Sequence, residues 1–261
     1  MKFRFIILIS GVLLIFSSLI FNIYELQIKK GKFYSLRAEA QFRLTGYLEP
    51  RRGTIYFTDK NGNAIPGAIN KEYPVVFAVP KQVENLDESV SVLSQILVLP
   101  AGDLRGKLSK SNDAYELLAT KITDEQATKI KEASIKGIYI DTQEFRFYPF
   151  GSLAAQVLGF VGPSDKDSEI KGRYGWEAFY DQYLRGSRGE TQGEQIIEPV
   201  DGTDLTLTID RDIQVQAEEI LAKAITQNKA TGGTIIVQEP ASGKILALAN
   251  NPPFDPKNHR L

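Results

Sequence analysis

The chain has 261 residues, 43% hydrophobic and 24% charged, enough to bury a core and to hold one large domain or two modest ones. With 31 basic against 32 acidic side chains the formal net charge is -1, which gives nucleic acid no electrostatic footing. No cysteine is present, which excludes disulfides, thiolate catalysis and cysteine-bound zinc; the lone histidine, His259, gives no basis for a histidine-centred active site or metal centre.

In chain order, residues 5–21 are apolar apart from Ser10, Gly11, Ser17 and Ser18, and with 22–24 the stretch reaches the roughly 20 residues that cross a bilayer. The apolar run is longer than a signal-peptide core and no small-residue cleavage site follows it, so it predicts an uncleaved anchor. Lys2 and Arg4 precede the span and Lys29, Lys30, Lys32 and Arg37 follow it, so charge alone leaves its orientation open. Residues 33–43 read as a short polar helix, a stalk that Pro50 ends. A strand over 54–58, a turn at 59–63 (Asp-Lys-Asn-Gly-Asn) and a further apolar stretch form a hairpin pattern, and 75–79 is another strand.

The spacing of Val90, Leu93, Ile96 and Leu97 predicts a helix over 87–99. Thr123 and Gln126 form a capping box that opens a second helix, stopped by Gly137. Residues 138–140 read as a strand, 145–150 as an extended aromatic segment, 153–158 as a short helix, 162–172 as an exposed loop and 176–184 as one amphipathic helix. Beyond a composition change near Pro199, 205–209 alternates like a strand. Asp210 caps a helix over 211–228 with an apolar stripe through Ile213, Ala217, Ile220, Leu221, Ala224 and Ile225, and 234–238 and 244–249 form a hairpin. The fold class expected is α+β. A helix and two strands bury little by themselves, so residues 205–261 are expected to expose the stripe and a strand edge, and to be cut by protease before the rest.

Three ordered motifs carry a resemblance. Arg52-Gly53-Thr-Ile-Tyr-Phe-Thr-Asp59-Lys-Asn-Gly62 resembles the opening motif of the class B penicillin-binding protein pedestal, or dimerisation domain. Gly137-Ile-Tyr-Ile, with Arg146-Phe-Tyr148-Pro149 and Ala154-Ala-Gln-Val-Leu-Gly159, resembles the second, and Tyr174-Gly175-Trp-Glu177 with Tyr183-Leu-Arg-Gly186 the third. The run from Gly233 to Asn250, with Phe254-Asp-Pro256, resembles the first hairpin of the transpeptidase domain. The resemblance implies a cytoplasmic tip and anchor over 1–30, a pedestal over 31–200 and the start of a transpeptidase domain over 201–261. It places a single-pass protein in the bacterial cytoplasmic membrane with its bulk outside the cytoplasm, serving cell shape or cell division. Its implied partners are the lipid bilayer, cell-wall synthesis proteins such as a glycosyltransferase, and a second copy of the chain; peptidoglycan stem peptides and β-lactams would bind only a complete domain.

No catalytic residue is expected in this stretch, and no cofactor or metal. The family's serine-lysine chemistry needs SxxK, SxN and KTG; the one SxxK match, Ser168 to Lys171, lies in the polar loop, and SxN and KTG do not occur. Glu218, Glu219, Asp165 and Asp167 read as solvated charge. Arg52, Asp59, Arg146 and Glu177 are expected to form ion pairs tying separate strands together, and Gly53, Gly62, Gly159 and Gly175 to serve tight turns. Two readings stand: part of a D,D-transpeptidase, or a non-catalytic membrane-anchored scaffold for the cell-wall synthesis complex.

Overall fold

The structure is a computed structural model that describes residues 16–19, 21, 24, 47–48, 50–110, 113, 115–164, 169–192 and 195–256. Most of the expected span over 5–24, the expected stalk, Asp165, Asp167, Ser168 and His259 lie outside the described residues. Among the described residues, no helix is long and apolar enough to cross a membrane.

The architecture is mixed α+β and gathers into two compact units. The first unit includes residues 76–140; the second joins 47–75 to 141–256. Two long strands, β3 (Ala64–Ala78) and β5 (Ile138–Phe147), contribute residues to both.

In the first unit, α1 (Leu86–Leu97) turns Val90, Leu93 and Leu97 to one side, and α2 (Ala101–Leu108) adds Leu104 and Leu108. These pack with Leu118 of the short strand β4 (Glu116–Ala119), which pairs antiparallel with the end of β3, and with Ala127 and Ile130 of α3 (Asp124–Ala133). The capping box at Thr123 forms: the Gln126 amide N–H donates to the Thr123 hydroxyl, and the Thr123 N–H donates to Gln126 Oε1. The edge of β4 is blunted by Lys107, whose ammonium donates to the Leu117 carbonyl at 2.7 Å.

In the second unit, β2 (Ile55–Thr58) lies between β3, antiparallel, and β10 (Leu205–Asp210), parallel, with Leu205 opposite Ile55. The turn at 59–63 closes the β2–β3 hairpin, with Gly62 at φ 81°. The strand expected at 75–79 is the end of the much longer β3, which runs through Pro66 and Pro74. The segment expected at 138–140 and the first part of that expected at 145–150 are one strand, β5, which ends at Phe147; 148–150 enter a turn. The expected loop at 162–172 is instead a hairpin of β6 (Val161–Pro163) and β7 (Ile170–Gly172); backbone pairing over three residues each leaves no hydropathy period to read. The one helix expected at 176–184 is two, α5 (Gly175–Phe179) and α6 (Asp181–Leu184), broken at Tyr180. Before α5 comes α4 (Ala155–Leu158). After α6, β8 (Gly189–Gln192) and β9 (Gln195–Ile197) form a hairpin joined by β1 (Tyr47–Leu48).

The helix α7 (Arg211–Asn228) has the expected bounds, with the Asp210 carboxylate accepting the amides of Asp212 and Ile213. Its Ala217 and Leu221 pack on Ala247 and Ala249 of the hairpin formed by β11 (Gly233–Gln238) and β12 (Ile245–Asn251). The stripe is therefore covered at Ala217 and Leu221, contrary to expectation, but Ile220 stays 58% exposed as expected, and Ile236 on the opposite face of the hairpin is 60% exposed. Leu207 and Ile209 of β10 belong to the same core as Ile55, Phe57, Tyr148 and Leu158, so 205–256 shares a core with the elements before it. Leu207→Ala is expected to cost about 2–5 kcal/mol and to open 47–75, 141–190 and 205–256 to protease together. Timed proteolysis with mass mapping checks this; early loss of 205–256 alone would contradict a shared core.

Candidate functional site

The buried polar centre of the second unit is Glu177, the first-turn acid of α5, whose side chain is 0% exposed. A carboxylate without water must find cations and donors. Arg52, from the segment leading into β2, donates from Nε to Glu177 Oε2 at 2.7 Å, from Nη2 to the Glu177 carbonyl at 3.0 Å and from Nη1 to Asp181 Oδ1 at 2.8 Å. Arg146, on β5 and 2% exposed, donates from Nε to Glu177 Oε1 at 2.6 Å and from Nη1 to Asn70 Oδ1 at 3.2 Å. Asn70, on β3, donates to the Arg52 carbonyl at 2.7 Å, closing the ring of contacts. The Tyr148 hydroxyl stands 3.5 Å from Glu177 Oε1. Burial first, and the neighbouring Glu177 charge second, push the Tyr148 phenol well above its ordinary range.

Of the residues singled out from sequence, Arg52, Arg146, Tyr148 and Glu177 meet here. Asp59 does not: its carboxylate accepts the amides of Asn61 and Asn63 and the Asn63 side chain, so it holds the β2–β3 turn, and those hydrogen bonds, the Asn63 side chain's foremost, lower its pKa. Pro149 follows Tyr148 into the turn at 148–154. Asn70 and Asp181 were not anticipated. Asp181 had a readable signal, since a carboxylate four residues after Glu177 on one helical face calls for a shared cation, and Arg52 is that cation. A lone asparagine inside a strand carries no such signal. Glu218 corrects a reading: the half-buried carboxylate accepts the Ala154 amide at 2.8 Å and the Gln214 side-chain amide at 2.8 Å, whereas Glu219 is exposed.

Backbones close on one another around this cluster because glycines let them. A Cβ on Gly159, at φ 77°, would lie 1.7 Å from the Tyr174 carbonyl oxygen, and one on Gly53 would lie 2.1 Å from that of Thr203; Gly175 faces the Gly159 amide across the same seam. A polar cleft of about 240 Å³ lies beside the cluster, lined by Arg51, Arg52, Thr54, Asn70, Asp201 and Asp204. Among the described residues no three side chains gather as metal ligands. The Lys171 of the SxxK match lies in β7, paired with Glu169 at 2.7 Å. The arrangement binds chain segments to each other.

Residues 47–197 match the penicillin-binding protein dimerisation domain family. Stage V sporulation protein D of Bacillus subtilis is 31% identical over 227 residues, 81% of this chain and 34% of that protein. A probable peptidoglycan D,D-transpeptidase, PenA, of Neisseria meningitidis is 28% identical over 269 residues, 97% of this chain and 45% of that protein. The chain thus spans less than half the length of these relatives. Among solved structures, penicillin-binding protein PBP2 of Helicobacter pylori, in complex with MreC, has a similar fold: TM-score 0.60 at 22% identity, over 80% of this chain and 43% of that one.

Two measurements test the site. Gly159→Ala adds a backbone clash to the cost of a left-handed alanine and is expected to destabilise by at least about 2 kcal/mol. Gly62→Ala, with φ 81° and nothing near its Cβ, carries only the conformational cost of about 1 kcal/mol. Equal effects in urea titrations would refute the seam. For Tyr148 the folded pKa lies above the unfolded value of about 10, so its contribution is complete below pH ~10 and is lost as pH rises beyond. Urea midpoints should fall above pH ~10 less steeply in Tyr148→Phe than in the parent chain.

Proposed function

The chain belongs to the penicillin-binding protein dimerisation domain family and carries the amino-terminal region of a class B penicillin-binding protein, and from that premise we propose that it is the pedestal and the first part of a peptidoglycan D,D-transpeptidase. In this reading residues 1–30 are the cytoplasmic tip and anchor, 31–200 the pedestal and 201–261 the opening of the catalytic domain. The protein crosses the bacterial cytoplasmic membrane once, with its bulk outside. It joins cell-wall synthesis proteins, a glycosyltransferase among them, or a second copy of itself, and the substrates of the whole protein are peptidoglycan stem peptides, with β-lactams as acylating mimics.

The observation that carries the reading is the extent of the likeness: similarity to the Neisseria protein covers 97% of the chain and so reaches into α7 and the β11–β12 hairpin, beyond the family match at 47–197. The apolar run at 5–21 supports the anchor, and the Helicobacter protein's complex with MreC supports protein partners for the pedestal. The cluster at Glu177 supports a positioning role for this part of the molecule, with the acylation chemistry supplied by residues beyond it.

Reading the gene beyond the codon for Leu261 tests this directly. A frame continuing through SxxK, SxN and KTG, whose product in membranes labels with fluorescent penicillin, is the expected result. A frame closing without them would leave the scaffold reading and remove the enzyme.

A further inference from the structure

A connected line of contacts runs from the Glu177 cluster to the far hairpin. Tyr148 touches Glu177 at one end of the turn at 148–154, a turn held by the Gly151 amide donating to the Tyr148 carbonyl at 3.2 Å. At the other end the Ala154 amide, in a left-handed residue at φ 51°, donates to Glu218 Oε1. The same oxygen accepts from Gln214 Nε2. Gln214 is fully buried, and its amide grips Leu248 of β12 on both sides: Oε1 accepts the Leu248 amide at 2.7 Å and Nε2 donates to the Leu248 carbonyl at 2.9 Å. A side-chain amide thus stands in for a neighbouring strand. An aromatic line runs beside this polar one. Phe254, just past β12, meets Phe160 edge-on at 5.9 Å and Tyr174 at 6.0 Å, and Tyr174 borders the Gly159 seam. Gln156 donates to the Pro252 carbonyl at 3.0 Å.

We propose that Glu218, Gln214 and Phe254 form a latch that couples the Arg52–Glu177–Arg146 cluster to strand β12, so that a change at the cluster is felt in the hairpin and the reverse. The two ends lie on different segments, yet every step between them is a hydrogen bond, a ring contact or a tight turn inside one shared core, so neither end moves without straining the other. Its meaning for activity rests on the proposed transpeptidase reading: the latch would make Glu218 and Phe254 positioning residues for the catalytic domain and would let events at the pedestal bias acylation.

Hydrogen exchange by NMR on this chain tests the coupling without any penicillin. Arg52→Lys keeps the charge while losing the forked contact, and is expected to speed exchange of the Ala154 and Leu248 amides about two- to thirtyfold, the range of such couplings, with Leu93 of α1 unchanged. Glu218→Gln, a milder change at the opposite end, should in return speed exchange of the Arg146 Nε proton. Uniform acceleration that includes Leu93, or no change at the far end of either variant, would overturn the latch. In a longer protein carrying SxxK, Glu218→Gln should slow acylation by fluorescent penicillin by a like factor. An unaltered rate would confine the latch to structure and overturn its positioning role, whereas a parent protein that never labels would refute the transpeptidase reading and leave the exchange result intact.

Discussion

The second unit depends on neutralising one buried carboxylate. Glu177 sits where solvent does not reach, and ion desolvation is costly enough that a lone charge there would unfold the region or take up a proton. Two arginines from distant parts of the chain, Arg52 and Arg146, supply the counter-charges, and Asp181, paired with Arg52, brings the cluster to two acids against two bases. Since desolvation cancels much of the attraction, what the cluster adds is chiefly specification. The segment before β2, the end of β5 and the start of α5 must all arrive for Arg52, Arg146 and Glu177 to be satisfied together. Loss of Glu177 removes the carboxylate that both arginines share.

That demand accounts for the glycines. For Arg52 to reach Glu177, the chain around it must run against the backbone of 183–184 and 201–203, where the Gly53 amide donates to the Leu184 carbonyl at 2.7 Å and the Gly202 amide to the Arg51 carbonyl at 2.8 Å. For α5 to present Glu177, Tyr174 must press on Gly159. Main chain meets main chain with no side chain between, and only residues without a Cβ allow it. The glycines that look like turn formers in sequence are, at positions 53 and 159, contact surfaces; Gly62 is a turn residue in the ordinary sense.

Legibility in the sequence followed how local the cause was. The helix 211–228 could be bounded because its stripe lies within its own eighteen residues and its cap, Asp210, immediately before them, and the capping box at Thr123 is equally self-contained. The β6–β7 hairpin could not be seen, because its six strand residues owe their pairing to backbone hydrogen bonds that no hydropathy pattern encodes. The split of 176–184 at Tyr180 has no signal in the hydropathy pattern, and the residues on either side of it, Glu177 and Asp181, both pair with Arg52 more than 120 residues away. The charged residues showed the same divide. Arg52, Arg146 and Glu177 stood out through motif position, Asp59 was grouped with them though its partners are two and four residues on, and Glu218 was set aside as solvent charge because the Ala154 amide it serves is 64 residues distant.

The placement of Asn70 and Arg146 gives the cluster a further consequence. Among the described residues, the unit at 76–140 leaves the second unit along β3 and returns along β5, and Asn70 and Arg146 lie six residues from the two crossing points. The bond between them, continued to Arg52 and Glu177, ties the roots of both strands to the buried charge. The inserted unit meanwhile has a core of its own, built from Leu93, Leu104, Leu118 and Ile130 with no ionised group in it. The charge cluster and this apolar core thus belong to different units, joined along β3 and β5.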